Sequence, residues 1–517
     1  MAKKSFVNGA IILMLSGFVV RILGFVYRIY LSNLIGAEGM GLFQLITPVY
    51  SLVILTLTSG VSIAVSKMVA AESAKNHPVN LRRITGCAAA VVISSGIAVS
   101  VFIFLNLEFI SKFILKDART YVSLLLLIPC IPVIAAASAL KGYFYGIQDV
   151  SPTAVSQIVE QMVRIGLVMA MAAHFVKLGL EYASALATLG MALGEIANLA
   201  VLYIVYKAKR KRDTADKSRT GFMRKRHIFK EIIGISVPVS FNRCITSIMS
   251  AVELILIPRR LLAGGLDYQS SIEEYGRLTG MVTPLIYFPS LVTLSLATTL
   301  VPAISEAVSL KRFKAVNYRI SKSIQVTFII GFICTALFIN FPNEIGNILY
   351  RRENIGPMLY LLAFTCIFTY LQQTLLGIMN GLGKQGVSLR NSVIGYAIRI
   401  GFVYYCIPSY GIRGYVWGLI LSSGCVCILN LYTVIKTTGM ILDFRNWIVK
   451  PGLVGIAMLL SGRYLYGFLN VFNLGNSWTL VLALILYAAV SLAFMEGIGA
   501  LEKNEIKRLI GIKRSRN

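Results

Sequence analysis

The stretch SGFVVRILGFVYRIY, residues 16–30, is apolar enough to lie in a bilayer, yet it carries Arg21 and Arg28. A charge near the bilayer centre costs about 2.5–3.5 kcal/mol on the mildest scale. No acidic residue stands on the same segment. Two such arginines need either a neighbouring helix or a ligand to offset them.

The rest of the chain has the same character. Of its 517 residues, 56% are hydrophobic and only 14% are charged, with a mean hydropathy of +0.74. A soluble protein of that length could not hide so much apolar surface, whereas a membrane protein turns it to lipid. No signal peptide with a cleavage site precedes the first helix, and the short basic start at Lys3 and Lys4 reads as the flank of a permanent span. The eight cysteines all fall in hydrophobic segments without metal-like spacing, so they read as small lipid-facing or core residues.

A hydrocarbon core of roughly 30 Å needs about 20 apolar residues per helix. Fourteen segments meet that need, near 6–31, 41–66, 84–105, 121–140, 153–176, 182–206, 231–257, 278–304, 324–341, 357–378, 391–408, 412–435, 451–470 and 476–496. The expected class is an all-α polytopic membrane protein. With the N-terminus inside, the inward loops and tails hold 34 of the 50 Lys and Arg, and the outward loops hold 10. That bias places both termini in the cytoplasm. It also accounts for most of the net charge of +28 as a topology signal and as attraction to anionic lipid, so no nucleic-acid partner is needed.

The second half echoes the first. GYFYG at 142–146 answers GIMNG at 377–381, an offset of 235, and the same offset carries RIG at 164–166 onto RIG at 399–401. TP at 47–48 answers TP at 283–284, and GFVVR ending at Arg21 aligns with VSFNR ending at Arg243. Each half has six spans and inserts the same way, so the halves are expected to be related by a pseudo-two-fold axis along the membrane normal, with a substrate site between them near the midplane. The expected organisation is an N-lobe over 1–206, a basic cytoplasmic linker over 207–230, and a C-lobe over 231–436. Two further spans follow within 437–500, then a basic cytoplasmic tail over 501–517.

Polar residues form stripes on several spans. Gly17, Arg21, Gly24 and Arg28 share one narrow face of the first helix. Ser236, Ser240, Arg243, Ser247 and Ser250 do the same in the seventh, and Ser388, Ser392, Gly395 and Arg399 in the eleventh. In the fifth, Gln157, Glu160, Gln161 and Arg164 line one face, and Glu160 can pair with Arg164 at i,i+4. Arg21, Arg28, Arg164, Arg243 and Arg399 are therefore the candidate substrate contacts. Glu160, Glu195 and Glu253 are candidates for ion coupling or ion pairing. The expected interior is a cationic cavity suited to phosphate, which the planar guanidinium fork grips with two charge-assisted bonds. The competing structural reading has these arginines snorkelling to an interface or capping helix carbonyls, above all Arg28 and Arg463, which stand nearer span ends.

No Walker A loop is present: in GIMNGLGKQ at 377–385 the spacing is wrong, and Gln385 stands where Ser or Thr would hold magnesium. No HExxH, GxSxG or paired-carboxylate loop offers catalysis. No catalytic residue, metal site or cofactor is expected, and transport remains.

The opening SFVNGAIILMLSGFVVRILGFVYRIYLSNLIGAEGMGLFQL resembles the start of the stage V sporulation protein B group. That group belongs to the polysaccharide-transport branch of the multidrug/oligosaccharidyl-lipid/polysaccharide exporter superfamily. RILGF at 21–25 also resembles the first-helix motif of MurJ-type lipid II flippases. The resemblance implies two six-helix lobes in a V that open alternately to each side. It implies an undecaprenyl-pyrophosphate–sugar substrate of the lipid II type, and a role in spore cortex synthesis at the cell or forespore membrane. It places Arg21 at the substrate head group. The family's second arginine stands six residues later, where this chain has Tyr27, with Arg28 next to it. It assigns the last two spans to a groove for the lipid tail. Two alternatives stand beside this one: a cation-coupled multidrug exporter of the same superfamily, and a non-transporting scaffold that binds cell-wall synthesis proteins.

Overall fold

The computed structural model describes residues 6–75, 77–212, 223–470 and 476–499. The tail expected at 501–517 and the middle of the expected linker, 213–222, lie outside the described residues. Among the described residues there is no strand; the chain is helical almost throughout. Its contacts divide it into two compact units, Met1–Arg259 with Asp267–Gly276, and Arg260–Leu266 with Arg277–Asn517.

Unit 1 opens with α1 (Phe6–Ala74), which runs through both of the first two expected spans and is broken at one residue, Gly36, with φ 69° and ψ −176°. A positive φ is open to glycine at little cost, so the kink needs no loop. Next come α2 (Pro78–Leu105), the short α3 (Leu107–Phe109), and the bent pair α4 (Thr120–Leu127) and α5 (Cys130–Gly146). After them come α6 (Ser151–Leu178), α7 (Leu180–Arg212), α8 (Lys225–Ala263) and α9 (Tyr268–Gly276). The contact boundary falls at Arg259, near the end of α8. Gly60 of α1 lets Ser236 and Ser240 of α8 approach closely, and Ile228 and Ile232 join the unit 1 core beside Val65, Val69 and Tyr143.

The segment carrying α9 docks onto α1 just past the Gly36 kink. Tyr275 donates to the Gln44 carbonyl at 3.2 Å, and Gln269 donates to Glu38 at 3.2 Å. Arg119 ties the same corner together, reaching Glu38 at 2.6 Å and Asp117 at 2.9 Å. Its bonds to Asp117, helped by Glu38, raise the guanidinium pKa further above its already high ordinary value.

Unit 2 continues with α10 (Thr283–Tyr287), α11 (Ser290–Ser309), α12 (Phe313–Asn340), α13 (Pro342–Leu349), and the bent pair α14 (Gly356–Ala363) and α15 (Cys366–Gly381). It ends with α16 (Gln385–Tyr410), α17 (Ile412–Thr438), α18 (Lys450–Asn470) and α19 (Asn476–Gly497). The last two helices, outside the repeat, pack on α12 and on each other. Asn340 donates to the Met458 carbonyl at 3.0 Å to hold α18 in place.

Among the described residues, ten helices are long and apolar enough to cross a membrane, or up to twelve if each bent pair counts as one span. The expected number was fourteen. The spans expected at 6–31 and 41–66 share α1, and α16, with Arg390, Asn391 and Arg399 along it, is not among the ten.

The repeat is visible in the packing of each unit taken separately. In unit 1, α5 lies on α1 and α2; in unit 2, α15 lies on α11 and α12. A Cβ on Gly142 would meet the Ser62 carbonyl at 2.8 Å; one on Gly377 would meet the Ala297 carbonyl at 2.7 Å. Gly146 is similarly pressed against Ser66 and Val69, and Gly381 against Val301 and Ile304. All these pairs stand 235 residues apart. So do Gly96 and Gly331, which press against Pro132 and Ile367. The bent pairs match as well, at 40° and 53°. Ser100 donates to the Ile128 carbonyl at the first bend, at 3.0 Å, and Thr335 donates to the Ala363 carbonyl at the second, at 3.1 Å. Both donor and acceptor are again displaced by 235.

Because backbone atoms themselves form these seams, a side chain at either site must force the helices apart. Gly142→Leu and Gly377→Leu are each expected to lower stability by about 1–3 kcal/mol. Gly166→Ala, whose Cβ has open space, should be neutral or slightly stabilising. Thermal unfolding of the purified chain in detergent micelles measures all three.

Candidate functional site

The first half of α1 lies along α6. Gly24 faces Gln161, and a Cβ there would make ordinary contact with its Nε2 at 3.6 Å. One turn on, the buried Tyr27 lies within electrostatic reach of both Arg28 and Arg164. Three buried polar atoms at this seam have no hydrogen-bond partner among the described residues: Tyr27 Oη, Gln161 Nε2 and Arg164 Nε. All three can donate, and two of them can only donate.

On its other side Arg164 enters a polar network. Its Nη2 donates to Glu160 Oε1 at 2.6 Å, the i,i+4 pair expected from the spacing. Asn198 of α7 donates from its one amide group to Glu160 Oε2 at 3.0 Å and to Glu195 Oε2 at 3.2 Å. Tyr50 of α1 donates to Glu195 Oε1 at 3.3 Å. Gly194 makes the approach possible, since a Cβ there would stand 3.0 Å from the Glu160 carbonyl. One guanidinium, two carboxylates and two neutral donors thus join three helices, in a setting where each unmet bond is expensive.

The other candidates lie elsewhere. Arg21 is exposed on α1, and Arg243 is exposed on α8 between the buried Ser236 and Ser247. Glu253 is buried on α8. Arg399 belongs to unit 2, where its guanidinium stacks over the Tyr396 ring at 4.7 Å. Arg463 is exposed on α18. Within unit 1, then, Arg28, Glu160, Arg164 and Glu195 come together. Tyr27, Tyr50 and Asn198 were not singled out from the sequence. Their signal was weak: an amide three residues after Glu195, and phenols in otherwise apolar runs, which are ordinary in membrane helices. The eight cysteines are all free thiols, buried or half-buried.

The Arg164–Glu160 pair is 18% and 15% exposed, whereas the i,i+4 pair of Lys112 with Glu108 is 55% and 74% exposed. A double-mutant cycle with Arg164→Met and Glu160→Gln should give a coupling of about 1–3 kcal/mol, and the same cycle on Lys112 and Glu108 about 0.5 kcal/mol or less. Equal couplings in the two cycles would mean that solvent screens the inner pair as fully as the outer one.

Comparison with known proteins agrees with this architecture. The family model described as polysaccharide biosynthesis protein matches residues 6–308, and that described as lipid II flippase MurJ matches residues 284–488. Stage V sporulation protein B of Bacillus subtilis (strain 168) is 30% identical over 98% of this chain and 98% of its own length. Lipid II flippase MurJ of the same organism is 26% identical over 76% of each chain. Among solved structures, an inward-facing multidrug resistance MATE family transporter of the MOP superfamily has the same fold. It shows 15% identity and a TM-score of 0.63, over 82% of this chain and 98% of that one. With a family match over more than half its length and a full-length relative at 30% identity, this helical membrane protein belongs to the polysaccharide biosynthesis protein family.

Proposed function

We propose that this chain is a flippase that moves an anionic lipid-linked saccharide across the cell membrane by alternating access. The substrate is of the undecaprenyl-pyrophosphate type, the peptidoglycan precursor lipid II, in service of spore cortex synthesis. The observation that carries the reading is the α1–α6 seam, where the unmet groups at Tyr27, Gln161 and Arg164 are all donors beside Arg28. Unmet donors in a membrane protein call for an acceptor, and a pyrophosphate brings several with charge. In this conformation the donors are buried. They become accessible when α1 leans away from α6, and the Gly36 break supplies a hinge for that motion. Arg21, Arg243 and Arg399 serve as further contacts along the head group's path. The name of the relative lipid II flippase MurJ supports the same substrate class, and that of stage V sporulation protein B supports the sporulation role.

Glu160 and Glu195, joined through Asn198, favour a second element of the reading: they couple a proton or cation to the transport cycle, with Glu253 as a third candidate. Taken alone, the same acids would suit a cation-coupled multidrug exporter.

Reconstituted liposomes separate the readings. Movement of a fluorescent polyprenyl-pyrophosphate–sugar lipid is expected for the native chain. It should fall at least tenfold in Arg164→Ala and Arg21→Ala, a loss of about 1.4 kcal/mol or more in transition-state binding. The exposed Lys314→Ala control should be unaffected. Unchanged movement in both arginine variants would make these side chains structural. Transport of an organic cation in place of the lipid would establish the exporter, and folded protein that moves neither would leave a scaffold.

A further inference from the structure

We propose that a groove between α16 and α17 of unit 2 binds the phosphate of an anionic phospholipid head group. The groove, of about 480 Å³, lies next to a buried hydrogen bond in which Asn391 of α16 donates to Asn430 of α17, 2.9 Å long. That volume is within the range of small-ligand sites. Lys384, Arg390 and Lys436 line it, and none of them pairs with an acid among the described residues. Lys384 is the N-cap residue of α16, so the first amide groups of that helix lie beside the groove. Val387, Leu429 and the exposed Tyr432 form the apolar part of the wall. Three cations beside apolar side chains and an interfacial tyrosine fit an ester phosphate that carries acyl chains, where a bare ion would need only the charges. The Lys/Arg bias assigns this end of the helices to the cytoplasm, the side on which anionic lipid head groups attract basic clusters.

Unit 1 provides an internal control. Its repeat of the groove lies between α6 and α7. The register there is set by the positive φ of Gln148 and Gly383, 235 apart, and by Gly179 and Gly411, 232 apart. At the first offset Lys384 answers Asp149 and Arg390 answers Val155; at the second, Lys436 answers Ile204. Asp149 is itself neutralised by an ion pair with Lys209. Among the described residues, the same helix pair thus carries no charge without a counter-charge at these positions in unit 1 and three cations without an acidic partner in unit 2, Arg390 donating to Asn391 Oδ1 at 3.4 Å. Helix packing alone does not require them.

The test uses the purified full chain in detergent micelles, with binding of labelled phosphatidylglycerol measured against labelled phosphatidylcholine. The native chain should prefer phosphatidylglycerol. Binding should weaken roughly tenfold in the triple variant Lys384→Ala, Arg390→Ala, Lys436→Ala. The triple variant Lys311→Ala, Arg312→Ala, Lys314→Ala, which removes three exposed cations elsewhere in unit 2, should keep native binding. Lys384→Asp, which copies the unit 1 residue, should also weaken binding, and it carries the test if the first triple variant does not fold. Native affinity in the groove variants would overturn the proposal, as would an equal loss in the control triple. Complete displacement of the lipid by an equal concentration of glycerol phosphate or inorganic phosphate would overturn the lipid assignment in favour of a soluble phosphate.

Discussion

In hydrocarbon, a backbone carbonyl released from its helix has no water to turn to, and each such group left unmet costs several kcal/mol. This constraint shapes both units. Wherever the chain departs from a straight helix at membrane depth, something local must repair the ladder. At the α4–α5 bend Ser100 supplies a hydroxyl to Ile128, and at the α14–α15 bend Thr335 does the same for Ala363. At Gly36 the chain turns within a single residue, which releases few groups. The bends can therefore exist only where a neighbouring helix brings a donor. That neighbour, α2 or α12, is held close because Gly96 and Gly331 allow backbone to approach backbone.

Without a hydrophobic driving force between helices in lipid, close approach of small residues is the main source of association. The glycine seams of α5 on α1 and of α15 on α11 answer this need twice, with the same residues of the repeat. Packing is thus the symmetric property of the chain, and polarity is the asymmetric one. At positions where unit 1 places Glu160 and Asn198, unit 2 places Gly395 and Asn430, and the carboxylate network has no counterpart there. Where unit 1 places Asp149, unit 2 places Lys384. A duplicated scaffold leaves α6, α7, α16 and α17 free to take on different ligands, because the repeated glycine seams that hold it together lie on α5, α15 and the helices packed against them.

Much of this was legible in the chain itself. Hydropathy is a sum over consecutive residues, so the helical membrane class and the approximate positions of its helices follow from one-dimensional runs. GYFYG and GIMNG disclosed the repeat because both must keep glycine at both ends. The Glu160–Arg164 pair was legible because i,i+4 neighbours are set by the helix alone. Ser100 with Thr335, by contrast, share only a hydroxyl, and no sequence comparison marks them until the bends they serve are seen. The merging of two expected spans into α1 was also hidden, since a one-residue break leaves no polar loop to find.

The amino-acid sequence by itself determined that the chain is helical, built for the membrane and made of two related halves, and that arginine stands inside several of its helices. Only the tertiary structure decided which of those arginines meet partners. Tyr27 lies within electrostatic reach of Arg164 across 137 positions without bonding to it, Tyr50 donates to Glu195 across 145, and Arg21 and Arg243 stay on exposed faces. The reason is physical. Burial along a helix is a local average over its residues, but a hydrogen bond across helices depends on their rotation and distance. Those are set in part by glycines such as Gly194, which stands next to Glu195 in the chain and lets α7 approach Glu160 on α6.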